Sequence, residues 1–436
     1  MSFAHKHKAV IQYTKFTLEN GLRVIVHQDP STPMAVLNVL YDVGSRDESP
    51  EKTGFAHLFE HLMFGGSANI PDFDVPMQMA GGENNAFTNS DITNFYNVLP
   101  AQNLETAFWL ESDRMLSLNF DNQVLETQRK VVLEEFKETC LNKPYGDAWH
   151  HLSALVYKDH PYRWPTIGIV PKHIEDATMK DVQQFYGSYY APNNAVMVVA
   201  GNVTEIQVRE LAEKWFGSIP PCEIPKRSLP PEPEQVENRK LEVEADVPID
   251  SIYMAFRMTD RLHPDYYTID LISDILCSGN SSRLYRRLVR DQEVFSFIDC
   301  YVTGTIDSGL LIVEGKPSNG VSLEDAEAAI WKQLNELKTV LIPEKELQKI
   351  KNKVESNLIF AESSVLNKAI NLAFFEVIGD LDRINREVDF YRLIESKDIQ
   401  RLAQKVLCKE HCSILYYRSK PEEETAIATT EETVMY

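Results

Sequence analysis

Long apolar runs and paired cysteines are both absent from this 436-residue chain. No stretch of about eighteen apolar residues occurs, so the sequence predicts no membrane-spanning helix. The opening residues, Met-Ser-Phe-Ala-His-Lys-His-Lys, contain no apolar segment typical of a signal peptide, although a processed form would look the same. Six cysteines are scattered without a Cys-x-x-Cys pair. We therefore expect reduced thiols and a cytoplasmic location.

The chain also lacks an excess of positive charge. It has 44 Lys and Arg against 65 Asp and Glu, a formal net charge of −21. This balance argues against nucleic acids and anionic membranes as partners. It suits cationic ligands such as basic peptides, although the same charge also serves solubility. The length favours two to three domains of ordinary globular composition.

The pattern of apolar and turn residues predicts alternating strands and helices. Asn20-Gly21 predicts the turn of a hairpin within residues 13–28. Further strands are predicted over 35–44, 84–99 and 193–201, and helices over 54–64, 73–80, 101–119, 123–140, 178–190 and 204–216. Prolines are frequent in the polar stretch that follows the predicted helix 204–216, which is typical of a semi-rigid linker. We expect domains at 1–219 and 236–436, joined by a linker at 220–235.

The second half of the sequence resembles the first. A shift of 217 residues lays Lys180-Asp-Val-Gln-Gln-Phe on Lys397-Asp-Ile-Gln-Arg-Leu, and nearly the same shift pairs the strand at 35–41 with 253–257. The pattern indicates an internal duplication.

The candidate metal-binding and catalytic residues lie in one segment, His57-Leu-Phe-Glu-His61, within the predicted helix 54–64. His57 and His61 are one turn apart on one face, and Glu60 lies beside them. Two such imidazoles can bind one zinc ion, and a neighbouring carboxylate can take a proton from a zinc-bound water. The order His-x-x-Glu-His is the inverted form of the commoner zinc-protease motif. Under the 217-residue shift these three residues fall on Asp274, Cys277 and Ser278, so we expect one zinc ion per chain.

A histidine pair on an apolar helix is more often packed in a core than bound to metal, so a third ligand decides the interpretation. Glu135, on the predicted helix 123–140, is the preferred candidate, and Glu134 is the alternative. Adjacent carboxylates point about 100° apart on a helix, so only one can face the metal. Two histidines and one carboxylate leave a fourth position open, as a catalytic zinc site requires. His150, His151 and His160 lack a matching third ligand, and we expect structural or surface roles for them.

Three segments together carry a family resemblance: His57-Leu-Phe-Glu-His61, Asn84-Asn-Ala-Phe-Thr88 and Arg129-Lys-Val-Val-Leu-Glu-Glu135. In this order and spacing they resemble the pitrilysin/insulinase family of zinc metallopeptidases. The likeness is nearest to its half-length members, which include the mitochondrial processing peptidase β subunit and bacterial relatives. The resemblance implies an α+β fold of two duplicated domains. Each is an antiparallel sheet packed with helices, and the two face each other as a clamshell.

The resemblance also implies roles for individual residues. His57, His61 and Glu135 would bind zinc, and Glu60 would be the general base. Asn85, Ala86, Phe87 and Thr88 would form an edge strand to which a peptide substrate adds as a further strand. Arg290 fits a substrate-binding arginine of the family's second domain.

The sequence departs from the family at one position. Active members carry a tyrosine seven residues after that arginine, and here the residue is Phe297, which has no hydroxyl. Loss of one oxyanion donor typically costs about 10²–10³ in rate. A homodimer or a heterodimer with a family-related subunit could complete the site, and Tyr301 and Tyr285 are other hydroxyls nearby, better explained by packing.

The favoured hypothesis is a zinc-dependent endopeptidase that cleaves peptides or unfolded segments. The alternative is a non-catalytic structural or assembly subunit of the same fold, which only Phe297 favours. A zinc-stabilised module without catalysis is weaker, because structural zinc sites prefer four protein ligands with cysteine.

Overall fold

Two β-sheets, one in each half of the chain, organise the structure. A computed structural model gives the fold of residues 10–420. The first sheet has six strands: β1 Thr14–Thr17, β2 Arg23–Gln28, β3 Met34–Tyr41, β4 Glu83–Thr88, β5 Thr93–Pro100 and β6 Ala195–Gly201. The second has five: β7 Arg239–Ala245, β8 Ser251–Arg257, β9 Phe295–Val302, β10 Leu310–Pro317 and β11 Cys412–Ser419.

Helices cover both sheets. The first half contains α1 Phe55–Phe64, α2 Asp74–Met79, α3 Leu104–Leu116, α4 Asn122–Phe136, α5 Ala148–Val156, α6 Pro171–Glu175, α7 Met179–Tyr189 and α8 Glu205–Phe216. The second half contains α9 Tyr266–Cys277, α10 Leu323–Thr339, α11 Glu344–Ala361, α12 Val365–Val377, α13 Arg383–Leu393 and α14 Ser396–Val406. The predicted α+β class is confirmed.

The two sheets repeat one topology. The strand order is β1-β2-β6-β3-β5-β4 in the first and β7-β11-β8-β10-β9 in the second. Without β1, the orders correspond strand by strand. The sheets are not wholly antiparallel, because β2 runs parallel to β6 and β7 runs parallel to β11. The two strands of each parallel pair are separated in sequence by most of a domain. The connection is therefore long enough for the second strand to run in the same direction as the first.

The predicted hairpin is confirmed and shows why its turn needs glycine. β1 and β2 pair antiparallel, with Thr17 opposite Arg23. Gly21 has φ +89°, a conformation that other residues rarely adopt. The Asn20 side-chain amide donates to the carbonyls of Phe216 (2.8 Å) and Ile219 (2.9 Å), so the hairpin is tied to the end of α8.

Two predicted helices are shorter than expected. The α-helical part of 123–140 ends at Phe136, and Lys137–Leu141 continues as a π-helical turn. Helix α3 begins only at Leu104, after a single tight turn at Ala101–Asn103. Helix propensity alone does not predict the π-helical turn, because the same residue types favour both kinds of helix.

One helix from each half packs on the sheet of the other half. Helix α12, from the second half, packs Leu372 and Phe375 on the face of the first sheet that carries Ile25 and Val198. Helix α5, from the first half, packs on the second sheet, where Leu152 lies in one cluster with β-strand residues of β8, β10 and β11. Helices α1, α3, α7 and α8 cover the opposite face of the first sheet. The sheets are therefore each buried on both faces.

The proline-rich segment after α8 is fastened to the first half of the chain. No helix or strand occurs over 220–238. Arg227 forms ion pairs with Asp42 (3.0 Å) and Asp47 (2.8 Å). The Glu232 carboxylate accepts backbone N–H groups at 158–160 at 2.9–3.0 Å. The boundaries predicted from the sequence, 1–219, 220–235 and 236–436, stay a prediction.

Within residues 10–420, no single helix is both long and apolar enough to cross a membrane. The pair α11 and α12 meets that length and composition only when taken together, and it is bent by 106°.

Candidate metal centre

Helix α1 begins at a glycine and is capped by a residue outside it. Gly54 has φ +88°, and a Cβ there would meet the Ile167 carbonyl oxygen at 2.7 Å. Gly54 has no side chain to cap the helix, and the buried Glu48 carboxylate does so instead. It accepts the N–H groups of Gly54 (2.9 Å) and Ala56 (2.8 Å). Burial raises the pKa of Glu48 well above its usual value, and these two hydrogen bonds oppose that rise.

The two faces of α1 differ in exposure. Leu58, Phe59 and Leu62 are buried in the core of the first half. His57, Glu60 and His61 are partly exposed on the other side. Packing of the apolar face therefore fixes the direction in which the two imidazoles point.

His57, His61 and Glu135 come together at one point. The two Nε2 atoms are 3.3 Å apart, and Glu135 Oε2 lies 3.7 Å from His57 Nε2 and 3.3 Å from His61 Nε2. Ligands on a tetrahedral zinc at about 2.0–2.1 Å are roughly 3.3–3.4 Å apart, so the three atoms fit such an ion. No other group of three His, Cys, Asp or Glu side chains in the described part of the chain is arranged to hold a metal.

The neighbouring carboxylate, Glu134, points elsewhere. Its Oε2 lies 3.2 Å from Lys137 Nζ, and both side chains are more than half exposed. The helix periodicity that separates the two residues by about 100° thus places Glu135 toward α1 and Glu134 toward solvent.

The electrostatics of the three side chains suit a cation. Burial lowers the pKa of His57 to about 4, which favours the neutral imidazole that binds metals. The hydrogen bond from His61 lowers the pKa of Glu135, which keeps that carboxylate ionised. His57 Nδ1 is buried and has no hydrogen-bond partner among the described residues. The donor set of two imidazoles and one carboxylate is that of catalytic zinc sites.

Glu60 lies beside the cluster and is held by the edge strand. Thr88 Oγ1 donates to Glu60 Oε2 at 2.6 Å. Burial raises the pKa of Glu60, and the hydrogen bond from Thr88 opposes this rise. The carboxylate thus lies near the cluster and is held there by Thr88.

The predicted substrate strand is at the edge of the first sheet. Asn85, Ala86, Phe87 and Thr88 belong to β4, which pairs with β5 on one side only in the described structure. Its other side is therefore available for pairing with an extended peptide.

The structure does not bring Arg290 to the cluster. Its guanidinium is more than half exposed and pairs with the adjacent Asp291 at 2.8 Å. Among residues 10–420 it makes no hydrogen bond or ion pair with His57, His61 or Glu135.

Phe297 lies on β9, the edge strand of the second sheet, and is 45% exposed. Tyr301 lies on the same face of β9, two alternations further along, and is also partly exposed. Tyr285 begins the π-helical segment Tyr285–Asp291.

In the second half, α9 and α11 are joined by a different pair of side chains. Lys353 Nζ, on α11, donates to Ser278 Oγ at 2.5 Å, just beyond the end of α9. The residue before it, Asn352, accepts a hydrogen bond from Gln348 instead (2.8 Å). An ammonium group and a hydroxyl are thus paired between α11 and the end of α9.

The remaining histidines of interest have other partners. His150 Nε2 lies 2.9 Å from the Gly168 carbonyl, and His151 Nε2 lies 3.2 Å from Asp147. His160 is buried, and its Nδ1 accepts the N–H of Tyr162.

Two family models match the chain in succession. Residues 23–168 match the insulinase family, peptidase family M16. Residues 176–354 match the M16 inactive domain. The chain is also 30% identical over 412 residues to the zinc protease PqqE of Helicobacter pylori, covering 92% of this chain and 90% of the relative. The chain belongs to the M16 family.

Other members of the M16 family agree with this assignment. The mitochondrial-processing peptidase subunit beta of Saccharomyces cerevisiae is 29% identical over 211 residues, which is 48% of this chain and 45% of that one. The crystal structure of a protease from Helicobacter pylori superposes with a TM-score of 0.89 at 28% identity and covers 94% of this chain and all of that one. The family named from the sequence and its two-domain clamshell fold are confirmed.

Sequence reasoning missed two contacts of the site. Glu48 precedes α1 by seven residues and carries no signal of its capping role. Thr88 was named for the substrate strand, but its contact with Glu60 depends on how β4 lies against α1, which no local pattern encodes.

Proposed function

We propose that this M16 peptidase family member is a zinc-dependent endopeptidase that hydrolyses peptides or unfolded segments. The convergence of His57 Nε2, His61 Nε2 and Glu135 Oε2 at 3.3–3.7 Å carries the proposal. The presence of Glu60 beside them supports it. Relatives that are named zinc proteases support a peptidase role for the family.

Zinc binding and proton transfer would fall to different residues of the site. When bound, zinc polarises a peptide carbonyl and lowers the pKa of water. His57, His61 and Glu135 would hold the ion. Glu60 would accept a proton from the attacking water and pass it to the leaving amine.

The edge strand β4 would bind the substrate. An extended peptide pairing with Asn85–Thr88 uses main-chain hydrogen bonds, so side-chain preference would be loose. Only a chain segment without its own secondary structure can pair in this way, which limits substrates to peptides and unfolded segments. Arg290 could serve the same peptide only if the second half moved toward it or a partner supplied the contact.

A second candidate is a non-catalytic subunit of the same fold. The observation that favours it is Phe297, whose ring stands on an edge strand without a hydroxyl. The intact ligand set argues against it, because a chain without catalysis has no need of a three-ligand site. A homodimer or a family-related partner that supplies an arginine and a tyrosine reconciles Phe297 with catalysis.

The test is cleavage of a mixed pool of unstructured peptides by the purified, zinc-loaded chain. We expect cleavage that a chelator stops and added zinc restores. Glu60→Gln should keep zinc and lose about 10²–10⁴ in turnover. Glu134→Gln is the matched control, since it removes a nearby carboxylate that points to solvent, and it should cleave normally.

The outcomes separate the two candidates. Retained activity in Glu60→Gln would refute the role of Glu60. A chain that holds one zinc ion and cleaves nothing, alone or with a family-related partner, would favour the non-catalytic subunit.

A further inference from the structure

The Glu60 carboxylate is held by a hydrogen bond from the edge strand β4. Thr88 Oγ1 donates to Glu60 Oε2 at 2.6 Å, which is a short, charge-assisted hydrogen bond. Thr88 is the last residue of β4, and its backbone pairs with Thr93 in the ladder. The hydroxyl is thus directed at Glu60 by a strand and not by a loop.

The turn that follows Thr88 is fixed to both halves of the chain. Backbone carbonyls of the turn at 89–90 accept the N–H groups of Ser45 (3.2 Å) and Arg46 (2.9 Å). The buried Asp91 pairs with Arg46 Nη1 at 2.9 Å and accepts the N–H of Ile306, from the second half, at 2.8 Å. The end of β4 is therefore held by the first half and by the half without metal ligands.

A support of this kind matters because a general base must hold its oxygen within hydrogen-bond reach of the proton that it removes. Misplacement of a reacting group by about 1 Å can cost roughly 10²-fold in rate. The Thr88 side chain is not needed for pairing with a peptide, since strand addition uses main-chain groups. Its contribution should therefore reach the substrate only through Glu60.

We propose that Thr88 is a positioning residue that holds Glu60 in place, and that the turn 89–91 anchors Thr88 to both halves. The inference rests on the proposed peptidase function. It gives the second half a part in the reaction although that half binds no metal.

The kinetic test compares Thr88→Val, which removes only the hydroxyl, with Thr88→Ser, which restores it. We expect Thr88→Val to lower kcat by about tenfold to a hundredfold with KM changed less than about twofold. Thr88→Ser should recover most of the lost kcat. Thr93→Val is the matched control. It faces Thr88 across the ladder and loses a hydroxyl bonded to the Val43 carbonyl (2.9 Å), so it should leave kcat unchanged.

A second measurement does not depend on turnover. Crystal structures of the zinc-loaded Thr88→Val and Thr88→Ser chains would show the Glu60 carboxylate displaced in the first and in place in the second. If the unaltered chain cleaves no peptide, the proposed function fails, and these structures still decide the role of Thr88.

Three results would overturn the inference. They are an unmoved Glu60 in Thr88→Val, a Thr88→Ser variant as slow as Thr88→Val, and a rise in KM at constant kcat. The last would show that the Thr88 side chain binds substrate directly.

Discussion

The adjacent glutamates Glu134 and Glu135 allow a sharp test of the metal site. Glu135→Gln keeps the shape of the side chain and removes the negative charge of the oxygen that lies 3.3 and 3.7 Å from the two Nε2 atoms. Glu134→Gln makes the same chemical change one residue away, at a side chain that is 61% exposed. Any effect on the overall charge or on helix propensity is therefore shared by both variants.

The expected magnitudes differ widely. Loss of a group that merely supports a metal ligand costs 10–100-fold in affinity, so loss of the ligand itself should cost more than about 100-fold, or roughly 2.7 kcal/mol at 1.36 kcal/mol per decade. The surface pair of Glu134 with Lys137 is worth about 0–1 kcal/mol to stability. It should not affect zinc binding beyond about twofold.

The assay is competition for zinc between each variant and a chromophoric chelator of known affinity, at fixed pH and ionic strength. Thermal unfolding of the zinc-free variants is the control for folding. The reasoning would be refuted if Glu135→Gln bound zinc like the unaltered chain. Equal weakening by both variants would refute it as well.

Three further predictions concern stability. Glu48→Ala should destabilise the chain by roughly 2–3 kcal/mol and weaken zinc binding, since two hydrogen bonds to the start of α1 are lost and their N–H groups are left without a partner; urea unfolding and the same chelator assay would show it. Leu372 lies on α12, the helix that packs on the sheet of the other half, and Leu372→Ala should lower the free energy of unfolding by about 2–5 kcal/mol. Calorimetry should show one transition for both halves, at a lower midpoint temperature. Phe360→Ala, on the exposed side of α11, should change the stability little. Burial raises the pKa of Asp270 to about 6. The folded state therefore binds this proton more tightly than the unfolded state, and about 3 kcal/mol of stability should be lost as pH rises from 4 to 6. Asp270→Asn should flatten that fall in Tm, and an unchanged slope would contradict the assignment.

Local signals accounted for much of the fold. Asn20-Gly21 predicts the hairpin because a tight turn needs residues that tolerate positive φ, and the turn forms as expected. Helices α7 and α14 begin 217 residues apart, at Met179 and Ser396, as the repeat indicates. The histidine spacing of α1 follows directly from the helical period.

The rest depends on contacts between segments distant in sequence. The parallel pairing of β2 with β6 is decided by where the chain returns after seven α-helices, and no window of residues encodes it. The repeat offset is not constant, since α9 begins earlier than a shift of 217 from α1 would place it. Glu135 could be favoured over Glu134 from the family resemblance, but only the packing of α4 against α1 shows which carboxylate faces the imidazoles.

The exchange of helices between the halves bears on how such a chain could have arisen. Helix α5 begins at residue 148 and α12 at residue 365, so they are the same element of the two repeats, again 217 residues apart. Each lies on the sheet of the other half. A half-length ancestor with this fold would have exposed one apolar face of its sheet until a second copy covered it with the same helix. Gene fusion would then have joined two already interlocked copies through the segment that is now the linker, and one copy could lose its ligands while keeping its helix in place.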